Sequence, residues 1–302
     1  MAYYTGSALT MSALRGALID ACTSEGWAWN SDRQELSKGG IVVKVEPLAG
    51  GEHLQFIGRT GPGVSAGESP IVRLGRFSGH ASWALAWPMT YHIHVFDWEV
   101  YLIAVYDVDR HLYAAFGAST VQGLAGTGSW LGASIGNGTT NSARPIYFAA
   151  TTAGNSSYPV GPALFHASLS GSVGLSQNSW VHHNLDGLGW FYGSAGVGAT
   201  PVGSAAIAPL LAMLPNTWNS EAVLLPLRQY VTRPSGKISM IADLEHARIT
   251  RIDNYAPGQV INIGGTRWKI YPWHQKNSAL RDGGTALTHT GTFGWAVRYE
   301  GP

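Results

Sequence analysis

The sequence predicts a mainly β protein: an antiparallel β-sandwich or meander body, preceded by an N-terminal helix and a small antiparallel sheet. Three observations carry that prediction. Short runs rich in Val, Ile, Tyr and Trp alternate in polarity and stop at Gly, Asn or Asp, the pattern of half-buried strands between turns. One segment near the start instead repeats its apolar residues at helical spacing. The composition joins 39 Gly to 12 Trp and 13 Tyr in 302 residues, rich in turn formers yet far too aromatic for a disordered chain.

The helix comes first. Thr10 stands as its N-cap, with Leu9 and Leu14 placed for a hydrophobic staple. Leu14, Leu18, Ala21 and Cys22 then form one apolar stripe, and Gly26 ends the helix in a left-handed turn. After Gly26 the period becomes two. Trp27-Ala28-Trp29 alternates, Asn30-Ser31-Asp32 turns, Glu35-Leu36-Ser37 leads into Lys38-Gly39-Gly40, and Ile41 to Val45 is a β-branched strand. Residues 1–58 are therefore expected to be a docking module, a helix on a small sheet, and residues 59–302 a β-rich body.

A polar, Gly-rich stretch from Gly58 through Gly63 to Ser69-Pro70 follows and reads as a long loop or linker. A meander follows, with strands at Met89 to Phe96, Val100 to Val105 and His111 to Phe116. Asp97-Trp98 and Asp107 to Arg110 supply its turns. On its first strand Tyr91, Ile93 and Val95 share one face, and His92, His94 and Phe96 the other. Residues 118–205 are dominated by Gly, Ser, Thr, Asn and Ala. They read mostly as loops anchored by isolated aromatics, with short strands at Pro145 to Ala150 and Ala163 to Leu169. Ile207 to Leu214 fits a short helix or a buried strand. Glu221 to Tyr230 and Lys237 to Ala242 are strands. Val260 to Tyr271 is a hairpin about Gly264-Gly265, and Phe293 to Tyr299 is the last strand.

Charged residues make up 12% of the chain and the net charge is +1. The usual charged share is about 25%. A surface so poor in Lys and Glu suits a subunit whose faces are covered by neighbours. A monomer with an uncharged polar surface is the alternative. No Lys/Arg run offers a nucleic-acid groove. No stretch approaches the roughly 18 apolar residues of a membrane span, so no membrane insertion is expected. Met1-Ala2-Tyr3-Tyr4-Thr5 lacks the charged and apolar regions of a signal peptide, so the expected site of synthesis is a cytoplasm. Cys22 is the single cysteine, which rules out an intrachain disulfide and leaves it as a small buried hydrophobe.

His92 and His94 are the sharpest chemical candidate. Two residues apart on a strand, their imidazoles point to one side about 7 Å apart, as two metal ligands would. His80 or His111 would supply a third ligand. The alternative is two ordinary hydrogen-bonding histidines, and the absence of an Asp or Glu at ligand spacing favours it. His182 and His183 alternate faces and cannot serve one metal together. The Gly clusters lack the Lys-Ser/Thr of a phosphate loop, and Gly193-Ser194-Ala195-Gly196 has the wrong spacing for a nucleophile elbow. The pairs Asp97/Glu99, Asp107/Asp109 and Asp243/Glu245 read as turn chemistry or solvated faces rather than acid–base pairs. The expectation is a non-enzyme without a cofactor. The residues expected to contact other subunits are Leu14, Leu18, Trp27, Trp130, Trp190 and Trp295. Trp83 with Trp87, Trp27 with Trp29, and Trp268 with Trp273 are alternative platforms for sugar rings.

Three segments resemble virion structural proteins of tailed bacteriophages. The first is Tyr3-Tyr4-Thr5-Gly6, the helix with Ala21-Cys22-Thr23, Gly26-Trp27, and Leu36-Ser37-Lys38-Gly39. The second runs from Trp87-Pro88 to Phe96 and includes Val100-Tyr101-Leu102 and Phe116-Gly117. The third is Tyr271-Pro272, Arg281-Asp282-Gly283-Gly284 and Gly291 to Tyr299. The chain departs from that pattern at Asp97-Trp98-Glu99, a tight turn in place of a longer Pro-containing connection. The resemblance implies a place in the tail, tail tip or baseplate of the virion. It implies repeated copies touching one another and other tail proteins, and no cofactor. A receptor-binding module that recognises host surface glycans through exposed aromatics is one alternative. A virion enzyme that degrades the cell envelope is the other.

Overall fold

The computed structural model describes residues 1–47, 52–63, 67–75, 85–107, 110–134, 179–191, 224–252, 255–272, 276 and 293–302. Within them the protein is mainly β, with a single α-helix, α1 (Met11–Ser24). A seven-stranded antiparallel sheet is built from β1 (Ala2–Ala8), β7 (Met89–Val95), β8 (Glu99–Val105), β9 (His111–Ala118), β10 (Ser129–Ala133), β11 (Ser179–His183) and β12 (Gly189–Phe191), in that spatial order. An N-terminal sheet holds β2 (Ala28–Asn30), β3 (Glu35–Lys38), β4 (Ile41–Pro47), β5 (His53–Arg59) and β6 (Val72–Gly75) as a meander. A C-terminal sheet has the order β13 (Leu225–Arg233), β14 (Lys237–Arg251), β17 (Phe293–Arg298), β16 (Thr266–Pro272) and β15 (Val260–Ile263).

The seven-stranded sheet is the middle of three layers. Ile93, Val95, Val100, Leu102, Ala114, Phe116 and Leu131 on one face join α1 and the N-terminal sheet in one core. Phe96, Tyr101, Ile103, Tyr113, Ala115 and Trp130 on the other join the C-terminal sheet in a second core. Burial on both faces explains why β8 and β9 are nearly unbroken apolar runs rather than alternating ones. Gly117 marks the tightest point of this sheet. A Cβ there would collide with the Trp98 carbonyl oxygen and crowd Glu99. Gly117→Ala is expected to cost about 1–3 kcal/mol of stability by overpacking, read from a denaturant midpoint.

Helix α1 begins as the sequence predicts. Thr10 is extended, and its hydroxyl accepts a hydrogen bond from the Ala13 amide at 3.0 Å. Thr10→Ala is expected to cost about 1 kcal/mol, measurable by thermal unfolding. Met11, Leu14, Leu18, Ala21 and Cys22 are its buried stripe, and Gly26 follows with φ +80°. Burial pushes the Cys22 thiol well up, as befits a small core hydrophobe. The expected staple does not form: Leu9 is 71% exposed while Leu14 is fully buried. The chain enters α1 directly from strand β1, whose pairing with β7 fixes the entry angle in the staple's place.

The expected two-part division also needs correction. β1 belongs to the central sheet, with Thr5 opposite His92, so the N-terminus is woven into the body. A boundary at 58 would cut β5, and of the two readings of the following stretch, loop or linker, it is the loop between paired strands β5 and β6. One apolar core runs from Ala8 and α1 through β4 and β5 into β7, β8 and β9, leaving no seam.

Elsewhere the meander and the Gly264-Gly265 hairpin appear where expected, both glycines having positive φ. Strand β14 runs on to Arg251, well past Ala242. Leu244, Ala247 and Ile249 are buried there, and β17 supplies a partner that the sequence does not reveal locally. Strands β10, β11 and β12 occupy parts of the region read as loop. The strands expected at Pro145 to Ala150 and Ala163 to Leu169, and the segment Ile207 to Leu214, lie outside the described residues.

Candidate functional site

The richest polar cluster lies between the central and C-terminal sheets, on the face of β7 that carries His92 and His94. Tyr3 on β1 sits opposite His94, and its hydroxyl lies 2.7 Å from Nδ1 of His92. Lys269 of β16 donates to that same hydroxyl at 2.9 Å and stands 4.5 Å from the centre of the Tyr3 ring and 5.0 Å from that of Tyr299. Nε2 of His94 is 2.8 Å from the Tyr271 hydroxyl, and both side chains are essentially fully buried. The His111 ring flanks Tyr271 with a centroid separation of 6.4 Å.

This environment disfavours positive charge. Burial, reinforced by Lys269 and His111, lowers His92 to about 4. Burial again, with His92 and Lys269 adding, lowers His94 to about 3. Burial also holds the Tyr271 hydroxyl well above its ordinary range. Among the described residues no carboxyl group acts on either imidazole. At neutral pH the imidazoles of His92 and His94 and the Tyr271 hydroxyl are thus uncharged, and the hydrogen bonds among Tyr3, His92, His94, Lys269 and Tyr271 tie β1, β7 and β16 together across two layers. No group of three or more His, Cys, Asp or Glu among the described residues is placed to hold a metal ion. His92 and His94 are instead engaged by tyrosine hydroxyls, and His80 lies outside the described residues.

A second buried group joins the same two layers. Glu99, first residue of β8, is 1% exposed. Its carboxyl oxygens accept from the amides of Glu245 and His246, both at 2.9 Å, and from the Tyr101 hydroxyl at 2.8 Å. Nδ1 of His246 lies 2.9 Å away, and that ring stacks on Phe96 with centroids 3.9 Å apart. The sequence reading of Glu99 as turn chemistry is corrected: it fastens β8 to β14. The available signal was a carboxylate opening an unbroken apolar run, Val100 to Val105. Asp97 does behave as a turn residue, 73% exposed.

A third knot closes the β5–β6 connection. Arg59 reaches Glu35, itself 3% exposed, and donates through Nε to Glu68 at 2.9 Å, while the Gly63 amide donates to Glu35 at 3.0 Å.

The residues expected at subunit contacts are mostly used within the chain. Leu14, Leu18 and Trp27 lie in the core beneath α1, and Trp130 and Trp295 in the core against the C-terminal sheet. All five are at most 3% exposed, so their role as intersubunit contacts is corrected to internal packing. Trp190 is half-buried, covers Gly58, and donates through its indole N–H to the Gly67 carbonyl at 2.6 Å. In two of the expected sugar platforms the first ring is likewise internal. Trp27 is buried, Trp29 lies under the Arg15 guanidinium, and Trp268 is 8% exposed. Trp83 and Trp273 lie outside the described residues, whereas Trp98 is 51% exposed at the β7–β8 turn.

An open cleft of about 380 Å³ lies between β1 and α1, lined by Tyr4, Thr5, Ser7, Asp20, Ser24 and Tyr91 and by small helix residues. No helix of the described residues is long and apolar enough to cross a membrane. No protein-family model matches the chain, and no curated protein matches it.

Proposed function

We propose that this protein is a structural subunit of a bacteriophage tail, tail tip or baseplate, working in several copies that touch one another and other tail proteins. The observation that carries this reading is where its reactive side chains are spent. His94, Tyr271, Glu99 and His246 are buried between layers and bonded to protein groups, so the polar chemistry serves rigidity. The resemblance of the three sequence segments supplies the placement, and the charged share of 12% suits surfaces covered by neighbours. The mechanism is geometric: repeated weak contacts around a ring add up to a strong assembly. Mass spectrometry of purified particles tests it. The protein is expected in several copies per tail, and its absence from washed particles would refute the reading.

A second reading has one observation in its favour. Trp98 presents an exposed ring beside Asp97 and packs over Gly39, an arrangement open to a sugar face. Trp98→Ala is expected to abolish binding of the purified protein to host cells if surface glycans are recognised there, and to leave it unchanged otherwise.

A further inference from the structure

Strand edges recruit further strands, and proteins blunt them with charge, proline, bulges or brevity. The described edges here follow that rule with one exception. β13 carries Pro226, Arg228 and Arg233 and two register irregularities. β15 and β6 have four residues each, and β2 and β12 three each. β1 is different. Its seven residues, Ala-Tyr-Tyr-Thr-Gly-Ser-Ala, contain no charge and no proline. They pair with β7 in unbroken register, and among the described residues no strand lies on the other side. Thr5 and Ser7 are exposed.

We propose that β1 is a docking strand for a second copy of this chain, paired antiparallel, β1 against β1, about a two-fold axis at Thr5. The sequence of the strand matches itself in that register. Tyr4 then stands opposite Gly6 of the second copy and Tyr3 opposite Ser7, each ring beside a small residue. Thr5 meets Thr5, a favourable cross-strand pair. The strand ends add apolar contact. Met1 is 51% and Leu9 is 71% exposed, one at each end of β1, and this register sets each against the other in the second copy. A parallel pairing offers neither match. An axis normal to the sheet brings both α1 helices to one side of the joined sheet. There Ala13, Gly16 and Ala17 line the open cleft, and nothing lies within 4 Å of the place a Gly16 Cβ would take.

This inference rests on the assembly reading above and names one of its contacts. The test uses the purified full chain. Light scattering is expected to show a concentration-dependent dimer. Thr5→Cys is expected to cross-link it on mild oxidation, because directly opposed residues lie about 4.5–5.5 Å apart between Cα atoms, within disulfide reach. Cys22 is fully buried and does not compete. Ser7→Lys places a charge on the edge, and Gly16→Leu sends a side chain into the cleft from a position whose Cβ meets no atom outside its own helix. Each is expected to weaken dimerisation by about tenfold or more, with no fall in the melting temperature of the dilute, monomeric chain. A chain that stays monomeric, or a dimer that ignores both variants and leaves Thr5→Cys uncross-linked, overturns the pairing. Cross-linking of Thr5→Cys to a different tail protein in particles, without a dimer, also overturns it in favour of a foreign strand. Failure of the pairing with the protein still present in particles leaves the assembly reading standing, whereas absence from particles refutes that reading whatever the solution state.

Discussion

Replacing Glu99 by Ala is expected to lower the unfolding free energy by about 3–5 kcal/mol. The substitution strips acceptors from four groups at once: the Glu245 and His246 amides, the Tyr101 hydroxyl and the His246 ring. Three of these belong to residues that are themselves buried, and an unsatisfied buried donor costs about 1–3 kcal/mol. Glu99→Gln keeps one carbonyl oxygen but turns an NH2 towards donors, so a smaller loss of about 1–2 kcal/mol is expected. Urea unfolding checks both through the midpoint, provided the slope is unchanged. A loss below about 1 kcal/mol for Glu99→Ala would mean that the donors find other acceptors and that Glu99 is not the fastener between β8 and β14.

Acid should loosen the same junction between layers. An unperturbed histidine titrates near 6.5, whereas His92 and His94 in the fold titrate near 4 and near 3. Their folded values are depressed, so the unfolded chain takes up protons first as pH falls. The stability they contribute is therefore complete above about pH 6.5 and is lost progressively between there and pH 4 to 3. For His92 alone the loss by pH 4 is on the order of 3 kcal/mol. Lys269 lies beside both imidazoles and, among the described residues, no carboxyl group acts on them, so only the backbone hydrogen bond at Arg298 offsets protonation of His94. Melting temperature against pH measures this. The double variant His92→Gln/His94→Gln is expected to flatten the profile between pH 6.5 and 4. A residual slope should remain from His182 and His183, which burial lowers in the same direction. An unchanged profile in the double variant would refute the role of the cluster.

These two junctions show what sequence patterns can and cannot carry. The facing of His92 and His94 away from Ile93 and Val95 follows from strand periodicity, and the two histidines do lie on the face towards the C-terminal sheet. Their partners, Tyr3, Lys269 and Tyr271, come from both ends of the chain and leave no trace near residue 92. Glu99 reads locally as a turn residue because its four donors sit at residues 101, 245 and 246. The tryptophans mislead for another reason. A core and an interface bury aromatic area in the same way, so composition cannot separate Trp130 and Trp295 in a core from the same residues at a subunit contact.

By itself the sequence determined the features whose causes act within a turn or a hairpin. Those are helix α1 with its Thr10 cap, the β7–β8–β9 meander, the Gly264-Gly265 hairpin and the mainly β class. The tertiary structure alone decided that β1 leaves the helix module to pair with β7 and that β14 extends to meet β17. It alone placed one sheet between two cores and left β1 as a long, uncharged edge. The physical reason is range. Periodicity and turn chemistry are properties of neighbouring residues, whereas strand pairing and the satisfaction of buried polar groups are settled by residues that folding brings together from distant parts of the chain.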